Sequence, residues 1–282
     1  MTLLSSLLLG AIQGVTEFLP ISSSGHLAIA EHLLGQAGVG EVPGFFDVLL
    51  HLGTLIAVFA AYWEDIREMI LEFFEGIADL IHRSTPVPVP PARRMILLII
   101  TATLPLFLVL PIRKQVESLG DNMYFVSIAL IATGCLLFAS DRVRRGRKTE
   151  RTAGLRDVLL VGAAQAIATC PGISRSGSTI TAGCFVGFER KFAVRFSFLL
   201  SIPAVLGANL LSLKDALESE VAWGDLPVYI AGVAAAALVG YLCIRLLKLI
   251  AEKGKFGLFA YYCWVVGAAA LGLTVWQSLG GI

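Results

Sequence analysis

Two polar clusters interrupt apolar stretches of this sequence, and the first begins with a glutamine and a glutamate. Gln13 and Glu17 are four residues apart, so on a helix they lie on one face. An ionisable side chain within an apolar helix is costly, which favours a functional role for Glu17. It could act as a general base or as a metal ligand. The alternative is a structural carboxylate paired with an arginine.

A run of hydroxyl side chains follows, at a place where a helix would begin. It consists of Ser22, Ser23, Ser24, Gly25 and His26. One serine would suffice to cap a helix, whereas three beside a histidine and an upstream carboxylate favour nucleophilic or acid–base catalysis. His26 titrates near neutrality and could exchange a proton with a phosphoryl oxygen. The alternative is a histidine that hydrogen-bonds across a helix interface.

The second cluster is the sequence PGISRSGST, and its central residue is Arg175. A guanidinium group binds phosphate oxygens through two parallel hydrogen bonds and keeps its charge. The hydroxyl side chains that flank it are predicted to donate further hydrogen bonds, namely those of Ser174, Ser176 and Thr179. The alternative is a buried ion pair between Arg175 and Glu17, which would also bring the two clusters together.

The remaining polar residues and the cysteines are interpreted as structural or are assigned no role. Asp47 and His51 are also four residues apart and are interpreted as structural, and Asn209 is assigned no role. The cysteines are odd in number, lack metal-ligand spacing and lie in apolar stretches, so they are predicted to be small buried side chains. They are Cys135, Cys170, Cys184, Cys243 and Cys263.

Composition identifies the kind of protein that must position these clusters. Of the 282 residues, 56% are hydrophobic and 15% are charged, against about 25% charged residues in soluble domains. The class is therefore an all-α polytopic membrane protein, and nothing supports nucleic-acid binding. The N-terminal stretch lacks a basic leading region, so we expect it to belong to the fold rather than to a signal peptide. Six segments are long enough to cross a bilayer, at about 45–63, 93–112, 123–140, 192–210, 226–248 and 257–278.

Two further apolar stretches, 3–19 and 155–170, are too short to cross. Each ends at a proline and a polar run, and a second short helical stretch follows, at 24–34 or 176–188. Irregular backbone at membrane depth must be buried in protein or line a cavity. We therefore predict two re-entrant helical hairpins, with two kinked full spans as the alternative.

The two hairpins repeat one sequence pattern. GAIQGVTEFLPISSSGHL aligns without gaps on GAAQAIATCPGISRSGST at an offset of 152 residues, pairing Glu17 with Thr169 and Ser23 with Arg175. Three spans lie between the hairpins, so the second must enter from the opposite side. This predicts one membrane domain, 1–282, built from inverted repeats at about 1–140 and 153–282. Broken helices of such repeats aim their N-termini at anionic ligands near the midplane.

The distribution of basic residues predicts the orientation. Most of the Lys and Arg residues fall in four segments, which should be cytoplasmic. These segments are 64–94, 141–156, 190–195 and 245–255. The loops 113–122 and 211–225 and both termini are then on the outer face. The stretch 64–82 is predicted to be an amphipathic interfacial helix, and 83–92 a stiff proline-rich connector.

These motifs resemble those of the undecaprenyl-diphosphate phosphatases, also called bacitracin resistance proteins. That family has a Glu/Gln-x-x-x-Glu motif with a following Ser/Gly/His run, and a Pro-Gly-x-Ser-Arg-Ser-x-x-Thr motif. They correspond here to Gln13–Glu17, Ser22–His26 and Pro171–Thr179. The resemblance implies hydrolysis of a C55-type polyprenyl diphosphate to the monophosphate and phosphate, at the outer face of the plasma (inner) membrane. It also implies carrier recycling for peptidoglycan synthesis, bacitracin resistance, and a divalent cation, Mg²⁺ or Ca²⁺.

The resemblance also assigns roles to residues. The implied catalytic set is Glu17, Ser23, His26 and Arg175. The predicted substrate-binding set is Gln13, Ser22, Ser24, Gly25, Ser174, Ser176 and Thr179. Gln13 stands where some members have Glu, which weakens a metal site that includes Glu17, and the cation could instead arrive bound to the diphosphate.

Three questions stay open at this point. Ser23 is the preferred nucleophile, activated by Glu17 or His26, with a metal-activated water as the alternative. The main rival function is a transporter or flippase for a lipid phosphate or another anion, because inverted repeats with broken helices are typical of transporters. A carrier would need the arginine but not the serine and histidine together. The oligomeric state is also open, and a homodimer is one possibility.

Overall fold

The computed structural model describes residues 1–36, 43–82, 88–218, 223–253 and 255–280, and within these ranges the chain forms helices and no β-sheet. We number the α-helices in chain order. They are α1 Leu3–Phe18, α2 Ser23–Gln36, α3 Gly44–Ala61, α4 Trp63–His82, α5 Pro91–Thr103, α6 Arg113–Glu117, α7 Met123–Ser140, α8 Leu155–Ile167, α9 Arg175–Phe185, α10 Arg190–Glu218, α11 Leu226–Lys253 and α12 Gly257–Ser278.

In the part of the chain that the structure describes, six helical stretches are long and apolar enough to cross a membrane, and they coincide with the six predicted spans. The chain is therefore a multi-pass membrane protein. The second span is not one continuous α-helix, because α5 ends at Thr103 and 3₁₀ turns follow at Leu104–Leu108 and Leu110–Ile112. Pro105 and Pro111 explain the change, since proline lacks an amide hydrogen and clashes with the preceding helical turn.

Segments predicted as loops are partly helical. The outer loop 113–122 contains α6, and α10 continues to Glu218, well into the predicted loop 211–225. On the other side, the basic segment 190–195 is the first turn of α10, and most of 245–255 belongs to the end of α11. Positively charged side chains are compatible with helix ends at a membrane surface, so helical pattern alone does not mark where a span leaves the bilayer.

The amphipathic helix predicted over 64–82 is confirmed as α4. Its exposed apolar side chains include Phe73 and Phe74, while Arg93 of α5 bridges to Glu72 and Asp79 of α4, with Arg93 Nη1 2.7 Å from Asp79 Oδ2. This arrangement suits a helix that lies at the membrane interface. The first part of the predicted proline-rich connector, 83–87, lies outside the described residues.

The cysteine prediction is confirmed in part. All five thiols are free, and Cys184, Cys243 and Cys263 are buried. Cys135 is exposed and Cys170 is half-buried. The prediction that Cys135 is buried was wrong. An apolar helix in a membrane protein can turn small apolar side chains toward lipid as readily as toward the core.

Both predicted helix breaks are present. The first lies between α1 and α2, where Ser22 has φ of 73°, a left-handed conformation unusual for a residue with a side chain. The second lies between α8 and α9, where Gly172 has φ of 87°. Each downstream helix begins one residue earlier than predicted, at Ser23 and at Arg175. Strained backbone of this kind persists where surrounding contacts hold it, commonly at functional sites.

Close packing of α1 on α11 positions the first break. A Cβ atom at Gly14 would lie 2.7 Å from the carbonyl oxygen of Ala236 and 2.9 Å from the amide nitrogen of Gly240. Small residues let helix backbones approach in membranes, where van der Waals contact drives association. The glycine therefore brings the face that carries Glu17 close to the neighbouring span.

We expect Gly14→Ala to lower thermal stability in detergent, because overpacking a tight contact costs about 1–3 kcal/mol. Gly272→Ala is the matched control, since a Cβ at that helical glycine meets nothing within 4 Å. The control should unfold at the wild-type temperature or slightly above it. Equal melting temperatures for Gly14→Ala and wild type would contradict the packing argument.

Candidate active site

Glu17 is the centre of a hydrogen-bond network that joins the two sides of the first helix break. Its Oε2 accepts a hydrogen bond from Ser23 Oγ at 2.7 Å and another from Gln13 Nε2 at 3.2 Å. The carboxylate is 7% exposed and Gln13 is fully buried. The predicted helical face of Gln13 and Glu17 is therefore confirmed, and the break returns Ser23 to the same carboxylate.

Arg175 connects this network to the second repeat. Its Nη2 donates to Glu17 Oε1, forming an ion pair between residues 158 positions apart in sequence. The ion pair that the sequence offered as an alternative is thus present. The ion pair uses only one guanidinium nitrogen of Arg175. The carboxylate of Glu17 also accepts the hydrogen bond from Ser23. A buried ion pair lined by a hydroxyl group can bind an anion as well as stabilise the fold.

The starts of α2 and α9 share one hydrogen-bond pattern. Ser22 Oγ accepts from the amide of Gly25 at 3.3 Å, and Ser174 Oγ accepts from the amide of Gly177 at 3.0 Å. Each capping serine also lies near the hydroxyl of the residue two positions on: Ser22 to Ser24 is 3.4 Å, and Ser174 to Ser176 is 3.3 Å. These serines cap helices, which is the ordinary explanation for a serine at such a position.

Contacts between the repeats hold the two breaks together. Ser24 Oγ accepts from the amide of Gly172 at 3.2 Å. Thr133 of α7 donates to the Gly172 carbonyl at 3.2 Å and accepts from the Ser174 amide at 3.1 Å. Thr179 Oγ1 lies 2.6 Å from Ser197 Oγ of α10. The breaks are therefore fixed by neighbouring helices, and the network around Glu17 is preorganised.

A cavity of about 550 Å³ opens beside this network. Of the predicted site residues, Glu17, Ser23, Ser24 and Arg175 line it. The other predicted residues do not line it. They are Gln13, Ser22, Gly25, His26, Ser174, Ser176 and Thr179.

His26 does not line this cavity. Its Nδ1 lies 2.7 Å from the Ser22 carbonyl oxygen and its Nε2 lies 2.9 Å from the hydroxyl of Tyr262 in α12. A carbonyl oxygen only accepts, so Nδ1 carries the proton and Nε2 accepts from Tyr262. The helix-interface alternative describes this geometry, and a catalytic role for His26 stays a prediction.

The cavity is also lined by seven polar residues that the sequence interpretation did not place in the site. They are His51, Thr103, Arg113, Glu117, Gln165, Thr169 and Asn209. His51 Nδ1 lies 3.0 Å from the Asp47 carbonyl oxygen and 3.6 Å from its carboxylate, so the structural contact expected for this pair exists. His51 nevertheless faces the cavity. Gln165 and Thr169 had a usable signal, because the repeat pairs them with Gln13 and Glu17.

The residues present do not form a site that would hold a metal ion by themselves. Among the described ranges, no group of three His, Cys, Asp or Glu side chains is arranged to bind one. Both oxygens of Glu17 are already engaged, by Arg175, Ser23 and Gln13. Mg²⁺ and Ca²⁺ need several oxygen ligands, so the protein groups at this cavity do not fit a resident divalent cation.

The cavity has two chemically different regions. One holds the Glu17 network, and the other has a mainly apolar wall formed by the 3₁₀ turns after α5 and by α10. Arg113 and Glu117 of α6 also line the cavity. That wall includes Leu106, Phe107, Leu110, Leu210 and Leu211. The N-termini of α2 and α9 begin at Ser23 and Arg175, so their partial positive charges lie at the polar region. The arrangement suits an amphipathic anion such as a lipid phosphate.

Fold and site together define a class: a multi-pass helical membrane protein with a preorganised serine, carboxylate and arginine inside its transmembrane region. Comparison with known families is more specific. The family model described as bacitracin resistance protein BacA matches residues 6–269. The chain belongs to this family.

Curated relatives resemble the chain over nearly its whole length, and each is named undecaprenyl-diphosphatase. The protein of Methanosphaera stadtmanae is 39% identical over 97% of this chain and 98% of its own. That of Alkaliphilus metalliredigens is 41% identical over 96% of this chain and 98% of its own. That of Methanobrevibacter smithii is 41% identical over 95% of this chain and 96% of its own.

Proposed function

We propose that this protein hydrolyses undecaprenyl diphosphate, or a similar polyprenyl diphosphate, to the monophosphate and inorganic phosphate. The reaction recycles the lipid carrier for cell-wall polymer synthesis and confers resistance to bacitracin. The observation that carries the proposal is the single carboxylate of Glu17, which holds both Ser23 and Arg175 at one cavity. Membership of the family supports the substrate assignment.

The proposed chemical step begins with attack of Ser23 Oγ on the terminal phosphorus. Glu17 Oε2 takes the hydroxyl proton as the oxygen–phosphorus bond forms, and the bond from phosphorus to the bridging oxygen breaks. Polyprenyl monophosphate leaves with the bridging oxygen. Water then attacks the phosphoserine, and inorganic phosphate departs as Ser23 regains its proton.

Arg175 and the two helix N-termini have an electrostatic role in this scheme. Phosphoryl transfer depends mainly on positioning and on stabilising charge at the phosphoryl oxygens. Arg175 keeps an unoccupied part of its guanidinium for those oxygens, because the ion pair with Glu17 uses only Nη2. A divalent cation, Mg²⁺ or Ca²⁺, would arrive bound to the diphosphate and neutralise part of its charge.

The apolar wall supports a lipid substrate over a soluble diphosphate. It continues from the polar region along the 3₁₀ turns and α10, where Leu106, Phe107 and Leu210 line the cavity. Isoprenoid units would bury apolar surface there, at about 25 cal/mol per Å² removed from water. Diphosphates without a chain should therefore bind much more weakly.

We also propose that α1–α2 and α8–α9 are re-entrant hairpins of an inverted-topology repeat. The packing of the helices supports a pseudo-two-fold axis. Thus α1 packs on α11 and α8 packs on α5, so each first hairpin helix contacts the second span of the other half. The first spans α3 and α10 pack together, as do the third spans α7 and α12.

We propose that the protein lies in the plasma (inner) membrane, with the cavity open to the outer face. We expect Ser118→Cys to react with a membrane-impermeant maleimide on intact cells, in a background without the native cysteines. Arg145→Cys is the control and should react only after permeabilisation. Both positions are exposed, so a difference in labelling reports the side of the membrane. Equal labelling of the two in intact cells would reject the orientation.

The oligomeric state is a separate proposal. Only 17% of the span Gly257–Ser278 is buried within the chain, which leaves a long apolar face for lipid or for a second copy in a homodimer. Cross-linking in native membranes tests this: a dimer-sized product would support the homodimer, and monomer alone would reject it.

The decisive experiment on function is phosphate release from a polyprenyl diphosphate by the purified protein in detergent. We expect stoichiometric phosphate and polyprenyl monophosphate. A lipid flippase or anion carrier would bind the substrate and release no phosphate, so that result would favour the rival function. Adding a chelator in the same assay tests whether the substrate must carry a divalent cation.

A further inference from the structure

Gln165 of α8 is a buried side chain whose amide has no hydrogen-bond partner among the described residues. It is 1% exposed, yet it lines the same cavity as Ser23 and Arg175. Both its nitrogen and its oxygen are unpaired. Nearly all buried polar groups in proteins are hydrogen-bonded, so an exception at a cavity indicates a missing ligand or water.

The sequence repeat explains why this amide lacks a partner. In the first copy, Gln13 Nε2 donates to the carboxylate of Glu17, four residues on, at 3.2 Å. In the second copy the residue four positions after Gln165 is Thr169, whose hydroxyl donates to the carbonyl of Ala166 at 2.7 Å. The second copy therefore keeps the glutamine and omits the anion that it would bind.

We propose that Gln165 is a substrate-binding residue, donating from Nε2 to an oxygen of the phosphate that stays on the lipid. This inference rests on the proposed function. The phosphate would accept a hydrogen bond from Gln165 Nε2, as the carboxylate of Glu17 accepts one from Gln13 Nε2. The terminal amide torsion of glutamine is broad, so Nε2 can turn into the cavity while α8 stays in place.

The neighbours of Gln165 indicate which phosphate it binds. In the proposed reaction the terminal phosphate lies at Ser23 and Arg175. Helix α8 packs on the 3₁₀ turn Leu104–Leu108, which contributes Leu106 and Phe107 to the apolar wall. The lipid-linked phosphate lies between the terminal phosphate and the chain. A donor beside the apolar wall therefore faces the lipid-linked phosphate.

Gln165→Leu tests this proposal with full-length protein in detergent. We expect kcat/KM for farnesyl diphosphate to fall about 10- to 100-fold, as for loss of a hydrogen bond to a charged group. Inhibition by farnesyl monophosphate should weaken, and inhibition by inorganic phosphate should not change. The ligand-free melting temperature should be unchanged or higher, because the variant removes an unpaired buried amide. The rise in melting temperature that farnesyl methylenebisphosphonate produces in wild type should be reduced.

Thr181→Val is the matched control. Thr181 Oγ1 is also buried without a partner among the described residues, but Thr181 does not line the cavity. This variant should match wild type in kinetics and in its response to the bisphosphonate. Any change shared by both variants would then reflect loss of a buried polar atom rather than loss of a phosphate contact.

Wild-type kinetics and an intact bisphosphonate response in Gln165→Leu would overturn the proposal. So would a lower ligand-free melting temperature with unchanged inhibition, which indicates a structural role. Weaker inhibition by inorganic phosphate alone would assign Gln165 to the terminal phosphate and overturn the lipid-linked assignment. If wild type itself releases no phosphate, the proposed function fails. If wild type is active and Gln165→Leu is equally active, only the role of Gln165 is rejected.

Discussion

Ser23→Ala is expected to reduce kcat for polyprenyl diphosphate hydrolysis by about a thousandfold or more, because it removes the proposed nucleophile. The Ser23 hydroxyl donates to Glu17 at 2.7 Å, so Glu17 is placed to activate it. Ser23 also lines the cavity, so the substrate can reach the hydroxyl. If Ser23 only positioned an attacking water, its loss would remove one hydrogen bond to a charged group, about 10- to 100-fold. The size of the effect therefore distinguishes the two mechanisms.

Trapping supplies a second measurement for this prediction. Rapid acid quench of wild type with substrate should leave a phosphate on the peptide that contains Ser23, detectable by mass. Ser140→Ala is the control, because Ser140 is buried, donates to the Leu137 carbonyl at 2.7 Å and does not line the cavity. It should keep full activity. A Ser23→Ala variant within about a hundredfold of wild type would reject the serine nucleophile and favour attack by water.

The first repeat could be predicted in detail because its information is local. Four-residue spacing places Gln13 beside Glu17, and a proline followed by a polar run marks the break that returns Ser23 to Glu17. The gapless repeat then identified the place of Arg175 in the second copy. The positions of the membrane spans could also be predicted, since length and hydropathy determine them. The helix ends at the membrane surface could not be predicted, because neighbouring helices decide where they lie. The change to 3₁₀ turns after Thr103 did have a local signal, in Pro105 and Pro111.

The rest of the site depends on contacts between distant helices. Tyr62, just after α3, packs on Phe198 of α10 with ring centroids 5.9 Å apart. The two helices run antiparallel, and His51 and Asn209 are each eleven residues from that contact, since 62 minus 51 and 209 minus 198 are both 11. They therefore lie at one depth, and both line the cavity. Nothing local in either sequence segment specifies this pairing.

For His26, the sequence assigned a reactive residue type near a motif to the site, and this catalytic role stays a prediction. Helix α2 begins at Ser23, so His26 is three residues further along the helix. Its ring stacks on Tyr262 of α12, with centroids 5.6 Å apart. The sequence could not place α12 against α2. Catalytic function for His26 would require Nε2 to be released from the Tyr262 hydroxyl, whereas the hydrogen bond from Nδ1 to the Ser22 carbonyl would orient the ring.

Arg175→Ala is expected to lower kcat/KM by about a thousandfold or more, since an arginine at a transferring phosphoryl group is worth about 10³–10⁵ in rate. It should also lower thermal stability, because it leaves the carboxylate of Glu17 buried without its charge partner, a loss of about 3–5 kcal/mol. Arg175→Lys should recover most of the stability but little activity, because an ammonium group lacks the planar fork. Arg93→Lys is the control outside the cavity and should keep full activity.

The double variant Glu17→Gln with Arg175→Ala separates the two roles of the ion pair. Glutamine in place of Glu17 removes the buried charge while keeping a side chain that can accept from Ser23, so the double variant should unfold closer to wild type than Arg175→Ala does. Its activity should stay as low as that of either single variant, because the proposed base and the phosphate ligand are both gone. Recovered stability without recovered hydrolysis would show that the pair is needed for chemistry beyond its part in folding. Substantial hydrolysis by the double variant would contradict the proposed roles of Glu17 and Arg175 together.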